Sequence, residues 1–373
     1  MSGYFLGLIS GTSTDGVDAA LCEFGQHRCR VVAAQTFAYP PAIRERVETL
    51  IESGRSDLAE IGALDVAVGR FFADSAMALI KGQGLSPTDV TAIGHHGQTI
   101  WHEPDPPEPF SWQIGDPNSV AAITGIDTVA DLRRLDMAVG GQGAPIVPAF
   151  HEWLFADEGT ARVVVNIGGI ANLTLLAPGR DVLGFDTGPG NTLLDAWVRR
   201  CLHQPYDDGG RWAAGGEPDS ELLAHCLDDP YFERAAPKST GRERFNETWL
   251  KQKLAAVDRE VPAAAVASTL VELSAQTIAD AISRLGLTEF DLIVCGGGVK
   301  NATLMSRLGA IAGPTAESSA GYGLDPDWVE AAAMAWLARA RIERIPGNLP
   351  TVTSAREGRV LGGLYLGAGT RSA

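Results

Sequence analysis

Residues 163–191, VVVNIGGIANLTLLAPGRDVLGFDTGPGN, restrict the architecture more than any other stretch of this chain. The β-branched run Val163-Val164-Val165 reads as a buried strand. Asn166 and the pair Gly168-Gly169 form a tight turn, and the apolar run Ile170–Leu176 returns as the second arm of a hairpin. A Gly/Pro loop comes next, Phe185-Asp186-Thr187-Gly188-Pro189-Gly190-Asn191, and leads into LLDAWV, which reads as a helix. The turn can wrap a phosphate with backbone N–H groups, and the loop can set a single carboxylate beside it.

The N-terminus repeats the plan. Tyr4–Ser10 is a short apolar strand, Gly11-Thr12-Ser13-Thr14-Asp15-Gly16 a polar turn, and Val17–Phe24 the returning strand. The two hairpins read either as a structural repeat heading each half of the protein or as two unrelated hairpins. Between and after them the pattern alternates. Helices are expected over 41–53 and 57–82, the second from the spacing of Leu58, Ile61, Leu64, Val68, Phe72 and Leu79. Val90–Ile93 is a strand that enters Gly94-His95-His96-Gly97-Gln98-Thr99, 103–110 a Pro-rich surface loop, Asn118–Gly125 a short helix and Thr128–Ala130 a strand. The polar, Gly-rich segment 131–145 is expected near a junction between lobes. Loops at 205–217 and 236–246, a helix over 262–285, a strand at Asp291–Cys295, a helix from Asn301 and a last helix over 326–341 complete the pattern. This is a mixed α/β chain. Neither a G-x-G-x-x-G unit nor a G-x-x-x-x-G-K-[ST] loop is present, which disfavours Rossmann and P-loop nucleotide sites.

Composition narrows the function classes. At 373 residues, 45% hydrophobic, the chain suits one large bilobal unit or two to three domains. Forty-six acidic against 30 basic residues give a net charge of −16, with no Lys/Arg stripe, which argues against nucleic acid and anionic membranes as partners. Five cysteines without a C-x-x-C pair fit neither a disulfide scaffold nor a zinc site and suit a reducing cytoplasm. The N-terminus lacks a basic n-region, so it does not read as a signal peptide, and no run of 18 apolar residues could span a membrane.

Three Gly turns each come directly after a buried strand: Gly11–Gly16, Asn166–Gly169 and Gly296-Gly297-Gly298. Together they suggest a nucleotide gripped from both lobes. In Gly11–Asp18, backbone N–H groups and the hydroxyls of Thr12, Ser13 and Thr14 could take a phosphate, while Asp15 or Asp18 holds Mg²⁺ directly or through water; an ordinary hairpin turn is the plain alternative. Asp186 is a candidate general base toward a hydroxyl or a water, or else a cap for the helix that starts near Asn191. His95, His96 and His102 are poorly spaced for a shared metal, since neighbours on a strand face opposite sides; hydrogen bonding to a ligand or loop fits them better. Arg133 is an anion clamp or an ion-pair partner of Asp131 or Asp136. Glu330 is a first-turn dipole partner or a ligand contact, and Cys295 a packed strand residue.

Six motifs in this order, GTSTDGVD (11–18), GHHGQT (94–99), DLRRLDMAVGGQGAP (131–145), NIGGIAN (166–172), GFDTGPGN (184–191) and CGGGVKN (295–301), resemble those of the anhydro-N-acetylmuramic acid kinases. The resemblance runs from residue 5 to about 340 and departs visibly only at Thr14, where the family often has a larger apolar residue. It implies a two-lobed actin-like ATPase (ribonuclease H-like) fold around a nucleotide cleft, with 1–130 plus 341–373 as one lobe, 131–340 as the other, and the two hairpins facing across the cleft. It implies ATP and Mg²⁺ as cofactors, and a reaction of peptidoglycan recycling in which water opens the 1,6-anhydro bridge of the sugar and O6 receives the γ-phosphoryl group. Asp186 matches the catalytic aspartate. Gly11, Thr12, Ser13, Thr14, Asp15, Gly16, Val17, Asp18, Asn166, Gly168, Gly169, Gly296, Gly297 and Gly298 match nucleotide positions, with Asp15 and Asp18 the metal candidates; His96, Gln98, Arg133, Gln142 and Glu330 match the sugar side. The implied partners are ATP and the small sugar, and a homodimer is compatible with the pattern. Two other readings stay open: a kinase of the same fold acting on an ordinary sugar hydroxyl, and a chaperone- or filament-like ATPase.

Overall fold

The computed structural model describes residues 3–11, 14–241 and 244–368. Thr12 and Ser13, two of the expected phosphate-turn residues, lie outside the described residues. The strands in chain order are β1 (Tyr4–Ser10), β2 (Gly16–Phe24), β3 (Cys29–Ala38), β4 (Val90–Glu103), β5 (Phe110–Ile114), β6 (Thr128–Ala130), β7 (Arg162–Ile167), β8 (Ile170–Leu176), β9 (Leu183–Pro189), β10 (Asp291–Cys295), β11 (Ala316–Ser318) and β12 (Gly363–Tyr365). Three long helices accompany them: α1 (Leu58–Gly82), α2 (Ala263–Ser283) and α3 (Val329–Glu343). Among the described residues no helix is long and apolar enough to cross a membrane.

The chain forms two compact units, Met1–Leu154 with Trp328–Ala373, and Phe155–Asp327. The expected boundaries at 130 and 340 therefore shift: 131–154 and 328–340 belong with the first unit. Packing explains the shift. α3 lies directly on β1 and β4, so close that a Cβ added to Gly7 would sit 1.8 Å from the Ala331 carbonyl oxygen. The segment after residue 131 is tied to the C-terminal part of the chain by the fully buried Asp136, whose Oδ1 accepts from Asn348 Nδ2 (2.6 Å) and Thr353 Oγ1 (2.7 Å).

The first unit's sheet has the order β12-β6-β4-β1-β2-β3, with β5 paired to β4; the second unit's sheet runs β11-β10-β7-β8-β9. In the first, β1–β2 and β2–β3 are antiparallel, and β4 joins the free side of β1 in parallel. In the second, β7–β8 and β8–β9 are antiparallel, and β10 joins the free side of β7 in parallel. Each sheet is thus an antiparallel meander extended by parallel strands on its first strand, and each places a long helix, α1 or α2, between meander and extension. That shared topology extends well beyond the hairpins and favours the repeat over two unrelated hairpins.

Each unit has its own core. In the first unit Leu6, Leu8, Val17 and Leu21 of the meander pack with Leu64, Val68, Phe72 and Leu79 of α1. Leu58, which the periodicity places on the same face, is 86% exposed. It is the first helical residue, just after the Asp57 cap that accepts the Glu60 N–H at 2.8 Å, and lies before the helix reaches the core. In the second unit Val163, Val165, Leu173 and Leu175 pack with Leu270, Leu273 and Ile278 of α2.

Two edge strands depart from the reading of the sequence. The pattern over 29–38 assigns no strand, and GFDTGPG reads as a loop, yet β3 and β9 form the outer edges of the two meanders. An edge strand tolerates Gly and a terminal Pro because one row of its backbone groups needs no strand partner. Val90–Ile93 likewise continues as one strand to Glu103.

Candidate active site

The β1–β2 connection is shorter than expected, because β2 begins at Gly16. Gly16 is therefore a strand residue and not part of the turn, while Val17 and Asp18 lie on the strand as expected. Gly16 is a packing glycine, since a Cβ there would meet the Phe37 carbonyl oxygen at 2.2 Å. Val17 is wholly buried, so its side chain serves the core and only its backbone could face a nucleotide. The turn itself closes through Thr14 N–H donating to the Gly11 carbonyl at 3.3 Å. Thr14 has φ +54°, a left-handed conformation that β-branched residues rarely adopt; its hydroxyl donates to Glu48 Oε1 at 3.2 Å.

The turn is held from beneath. The Ser10 hydroxyl donates to Gln98 Oε1 at 2.6 Å, and Gln98 Nε2 donates to the carbonyls of Gly11 and Thr99 at 3.4 and 3.1 Å. Gln98 is 1% exposed, and these bonds make it a support of the turn. Tyr39 N–H donates to the Asp15 carbonyl at 3.0 Å, and burial pushes its hydroxyl well above the usual phenol range.

Beside this turn the first unit gathers four of the expected residues. Arg133, at the start of the short helix Arg134–Ala138, donates from Nε to His96 Nε2 (2.9 Å) and from Nη1 to the Gly143 carbonyl (2.9 Å). A guanidinium N–H only donates, so His96 Nε2 must accept and the ring carries its proton on Nδ1, which lies 3.1 Å from the Gly97 carbonyl. Burial first, and the Arg133 charge second, push His96 down to about 3, which keeps it neutral. Glu330 opens α3. Loss of hydration raises its carboxyl above the usual range, the Asp18 carboxylate adds to the rise, and Arg133 opposes it. Although solvent still reaches the Glu330 side chain, the crowding of protein around it is what weakens its hydration. Asp18 is half-buried and accepts from the Thr36 hydroxyl at 2.5 Å. An arginine, two carboxylates and a neutral imidazole therefore share one neighbourhood.

The loop that completes this cluster is braced by Asp136, whose Oδ2 accepts the Gly143 N–H at 2.8 Å. Gly141 is required there, because a Cβ would lie 2.1 Å from that same Oδ2. Asp131 is engaged by Arg134 at 2.7 Å. The Gln142 backbone N–H donates to the Thr353 carbonyl at 2.8 Å, which fixes it next to the Gly143 carbonyl that Arg133 uses. His95 faces the other way: its Nε2 lies 2.5 Å from the Gly115 carbonyl, and its ring meets Phe72 edge-on at 4.6 Å. The strand thus separates His95 from His96, as the spacing requires. Among the described residues no group of three or more His, Cys, Asp or Glu is arranged to hold a metal ion. Asp15, exposed on the turn, and Asp18 remain a set of two carboxylates.

In the second unit the 166–169 turn is stitched to the start of the helix Thr192–Leu202. The carbonyl of Gly168 accepts the Asn191 N–H (2.8 Å), and that of Gly169 accepts those of Gly190 (2.9 Å) and Thr192 (3.1 Å). The triglycine divides by role. Gly296, at φ +81°, would place a Cβ 2.3 Å from Asn166 Oδ1, and Gly298 would place one 2.4 Å from Ile167 Cγ2. Both are needed for the close approach to β7. A Cβ on Gly297 meets nothing within 4 Å, so this residue alone of the three turns toward open space.

Asp186 lies on β9, opposite Asn172 of β8, not on a loop. The helix that begins after Asn191 takes no side-chain cap, so the capping alternative falls away. Asp186 Oδ2 accepts the Thr240 N–H at 2.9 Å, its own N–H donates to the Lys238 carbonyl at 3.0 Å, and its carbonyl accepts from the Tyr231 hydroxyl at 2.7 Å. Lys238 and Thr240 come from a stretch that reads only as loop, and nothing in their spacing, or in that of Tyr231, marks them in the sequence.

Comparison with known proteins agrees with the motifs. The family model for anhydro-N-acetylmuramic acid kinase matches residues 3–367. An anhydro-N-acetylmuramic acid kinase of Pasteurella multocida is 50% identical over 365 residues, covering 97% of this chain and 96% of that protein. Proteins of the same name from Shewanella sp. (strain ANA-3) and Coxiella burnetii (strain Dugway 5J108-111) are 46% and 44% identical, each over 97% of this chain and 98% and 97% of their own lengths. Among solved structures, an activator of 2-hydroxyisocaproyl-CoA dehydratase from Clostridium difficile with bound ADPNP superposes with a TM-score of 0.50 at 11% identity, covering 91% of this chain and 96% of that one. That likeness concerns the fold alone, and it agrees with the actin-like ATPase class implied by the motifs. With a family match over nearly its whole length and relatives at up to half identity, this chain belongs to the anhydro-N-acetylmuramic acid kinase family.

Proposed function

We propose that this protein uses ATP to convert 1,6-anhydro-N-acetylmuramic acid into N-acetylmuramic acid 6-phosphate. Water attacks C1, Asp186 takes its proton, and the C1–O6 bond breaks. The released O6 attacks the γ-phosphorus, and ADP leaves. One water and one ATP are consumed per turnover, and the proton on Asp186 returns to solvent. Ring opening and phosphoryl transfer are coupled because O6 becomes a nucleophile only as the bridge opens.

The observation that carries this reading is the family match over residues 3–367. The geometry supports the roles. Asp186 is a half-buried carboxylate on a strand, oriented by the Thr240 amide, as a base acting on water must be. Arg133, aligned by a neutral His96, suits the lactyl carboxylate of the sugar, and Glu330 and Gln142 complete the sugar side. For the nucleotide the motifs offer Gly11 in the first unit and Gly297 in the second, where a Cβ would meet nothing within 4 Å. Asp15 and Asp18, one exposed and one half-buried, would hold a Mg²⁺ ion brought by ATP, which would supply charge neutralisation at the phosphates. We place the reaction in the cytoplasm, where ATP is supplied.

The test is incubation with Mg-ATP and the anhydro sugar in ¹⁸O-labelled water, with mass spectrometry of the product. The product should gain one phosphoryl group and one labelled oxygen at C1. Asp186→Asn should cut turnover by about 10²- to 10⁴-fold while leaving ATP and sugar binding in place. Phosphorylation without label at C1 would instead indicate a kinase acting on a pre-existing hydroxyl.

A further inference from the structure

β9 is the outer strand of its sheet, so Asp186 has no neighbouring strand on one side. Both of its main-chain polar groups are nevertheless engaged from that side, the N–H by the Lys238 carbonyl (3.0 Å) and the carbonyl by the Tyr231 hydroxyl (2.7 Å). Two residues on, the Thr240 amide reaches the carboxylate. The segment 229–240 thus replaces a missing strand at the one residue where position matters. It is locked in turn. Lys238, 6% exposed, places Nζ 3.3 Å from the Tyr231 carbonyl and 4.6 Å from the centroid of its ring. Asp229 accepts the Tyr231 N–H and the Trp249 indole N–H, each at 2.9 Å, and pairs with Arg244. A buried ammonium is costly unless it is paired or hydrogen-bonded. Here burial first, then the Arg284 and Arg234 charges, push Lys238 down to about 8, while Asp186 pulls it back up.

We propose that Tyr231 and Lys238 are positioning residues for Asp186: Tyr231 fixes the Asp186 main chain from outside the sheet, and Lys238 fixes Tyr231 while presenting its own carbonyl to the Asp186 amide. The proposal rests on Asp186 being the base. Tyr231→Phe keeps the ring in its aromatic cluster with Phe232, Phe245 and Trp249 and deletes only the O–H. Lys238→Met keeps the stem and deletes the charge.

The experiment is a double-mutant cycle on the full chain. Each substitution is made in the native and the Asp186→Asn backgrounds, and kcat, both KM values and the melting temperature are measured. In the native background kcat should fall about 10- to 100-fold with both KM values within about two-fold, as expected when a reacting group shifts by up to an ångström. In the Asp186→Asn background the same substitutions should change residual kcat by less than about two-fold. Equal losses in both backgrounds, or an unchanged kcat in a folded Tyr231→Phe protein, would overturn the positioning role and leave the base assignment standing. Near-normal turnover of Asp186→Asn alone would remove the base assignment and this proposal with it. Should Lys238→Met fail to fold, Tyr231→Phe decides the matter alone.

Discussion

The approach of α3 to the first sheet offers a sharp test of how the fold sets the site. Gly7 on β1 and Gly94 on β4 both face this helix. An ideal Cβ on Gly94 would lie 1.9 Å from the Met334 carbonyl oxygen, and one on Gly7 1.8 Å from that of Ala331. Ordinary carbon–oxygen contacts begin near ~3.4 Å, so Gly94→Ala must drive strand and helix apart by roughly 1.5 Å. Helix backbone cannot swing aside as a side chain can, and the cost should be about 1–3 kcal/mol. Glu330 precedes Ala331 in the first turn of α3, so the displacement reaches the cluster it forms with Asp18 and Arg133. Sugar-dependent kcat/KM should fall by about 10²-fold. One retreat of the helix would accommodate both methyl groups. The Gly7→Ala/Gly94→Ala double variant should therefore lose clearly less stability than the two single losses added together. Urea midpoints for the three variants and steady-state kinetics measure both effects. Additive losses, or a Gly94→Ala protein with native midpoint and activity, would refute the argument.

Two further outcomes are expected from individual positions. Gly297→Val, whose side chain enters open space, should leave the unfolding free energy from urea titration within about 0.5 kcal/mol of native yet raise the KM for ATP several-fold; an unchanged KM would remove Gly297 from the nucleotide site. His95, His96 and His151 are buried and pushed down to about 4, 3 and 3, all by burial first. The unfolded chain takes up protons below its ordinary histidine range near 6.5 and the folded protein does not, so stability present above that pH is lost as pH falls toward 4. At pH 5.5 the loss is about 1.4 kcal/mol per histidine, or roughly 4 kcal/mol in all, and equal urea midpoints at pH 7.5 and 5.5 would contradict it.

How much of the fold and site is legible depends on where the information sits in the chain. Central strands announce themselves because both faces are buried: Asp291–Cys295 and Thr128–Ala130 match the expectation residue for residue. The edge strands β3 and β9 do not, since their sequences need satisfy only one neighbour, and the Gly and Pro of GFDTGPG point to a loop. Local motifs mark Asp186, Arg133 and His96, and the family resemblance marks Glu330. They cannot mark Gln98 as a support of the turn, because its partners Ser10 and Gly11 are 88 and 87 residues away. Tyr231 and Lys238 are invisible for the same reason: their meaning lies in a contact with Asp186 made across more than forty residues of chain. The domain boundaries move because α3 belongs by packing to strands that precede it by some 240 residues or more.

The two sheets share a topology and differ in what is built on it. Each has a turn between its first two strands, at 11–15 and at 166–169, and each extends its first strand with a parallel neighbour, β4 or β10. The extensions then diverge. β4 runs on to Glu103 and uses its length to bury His96 against Arg133. β10 stops at Cys295, and its chain turns through Gly296 and Gly298, which press on β7 and leave Gly297 outward. The carboxylates diverge as well. Asp18 stands on a central strand, held on both sides by β1 and β3. Asp186 stands on an edge strand, whose backbone lacks a second ladder. A carboxylate proposed to act as a base needs fixed geometry. On an edge strand the second ladder is missing, and the segment carrying Tyr231, Lys238 and Thr240 supplies hydrogen bonds in its place.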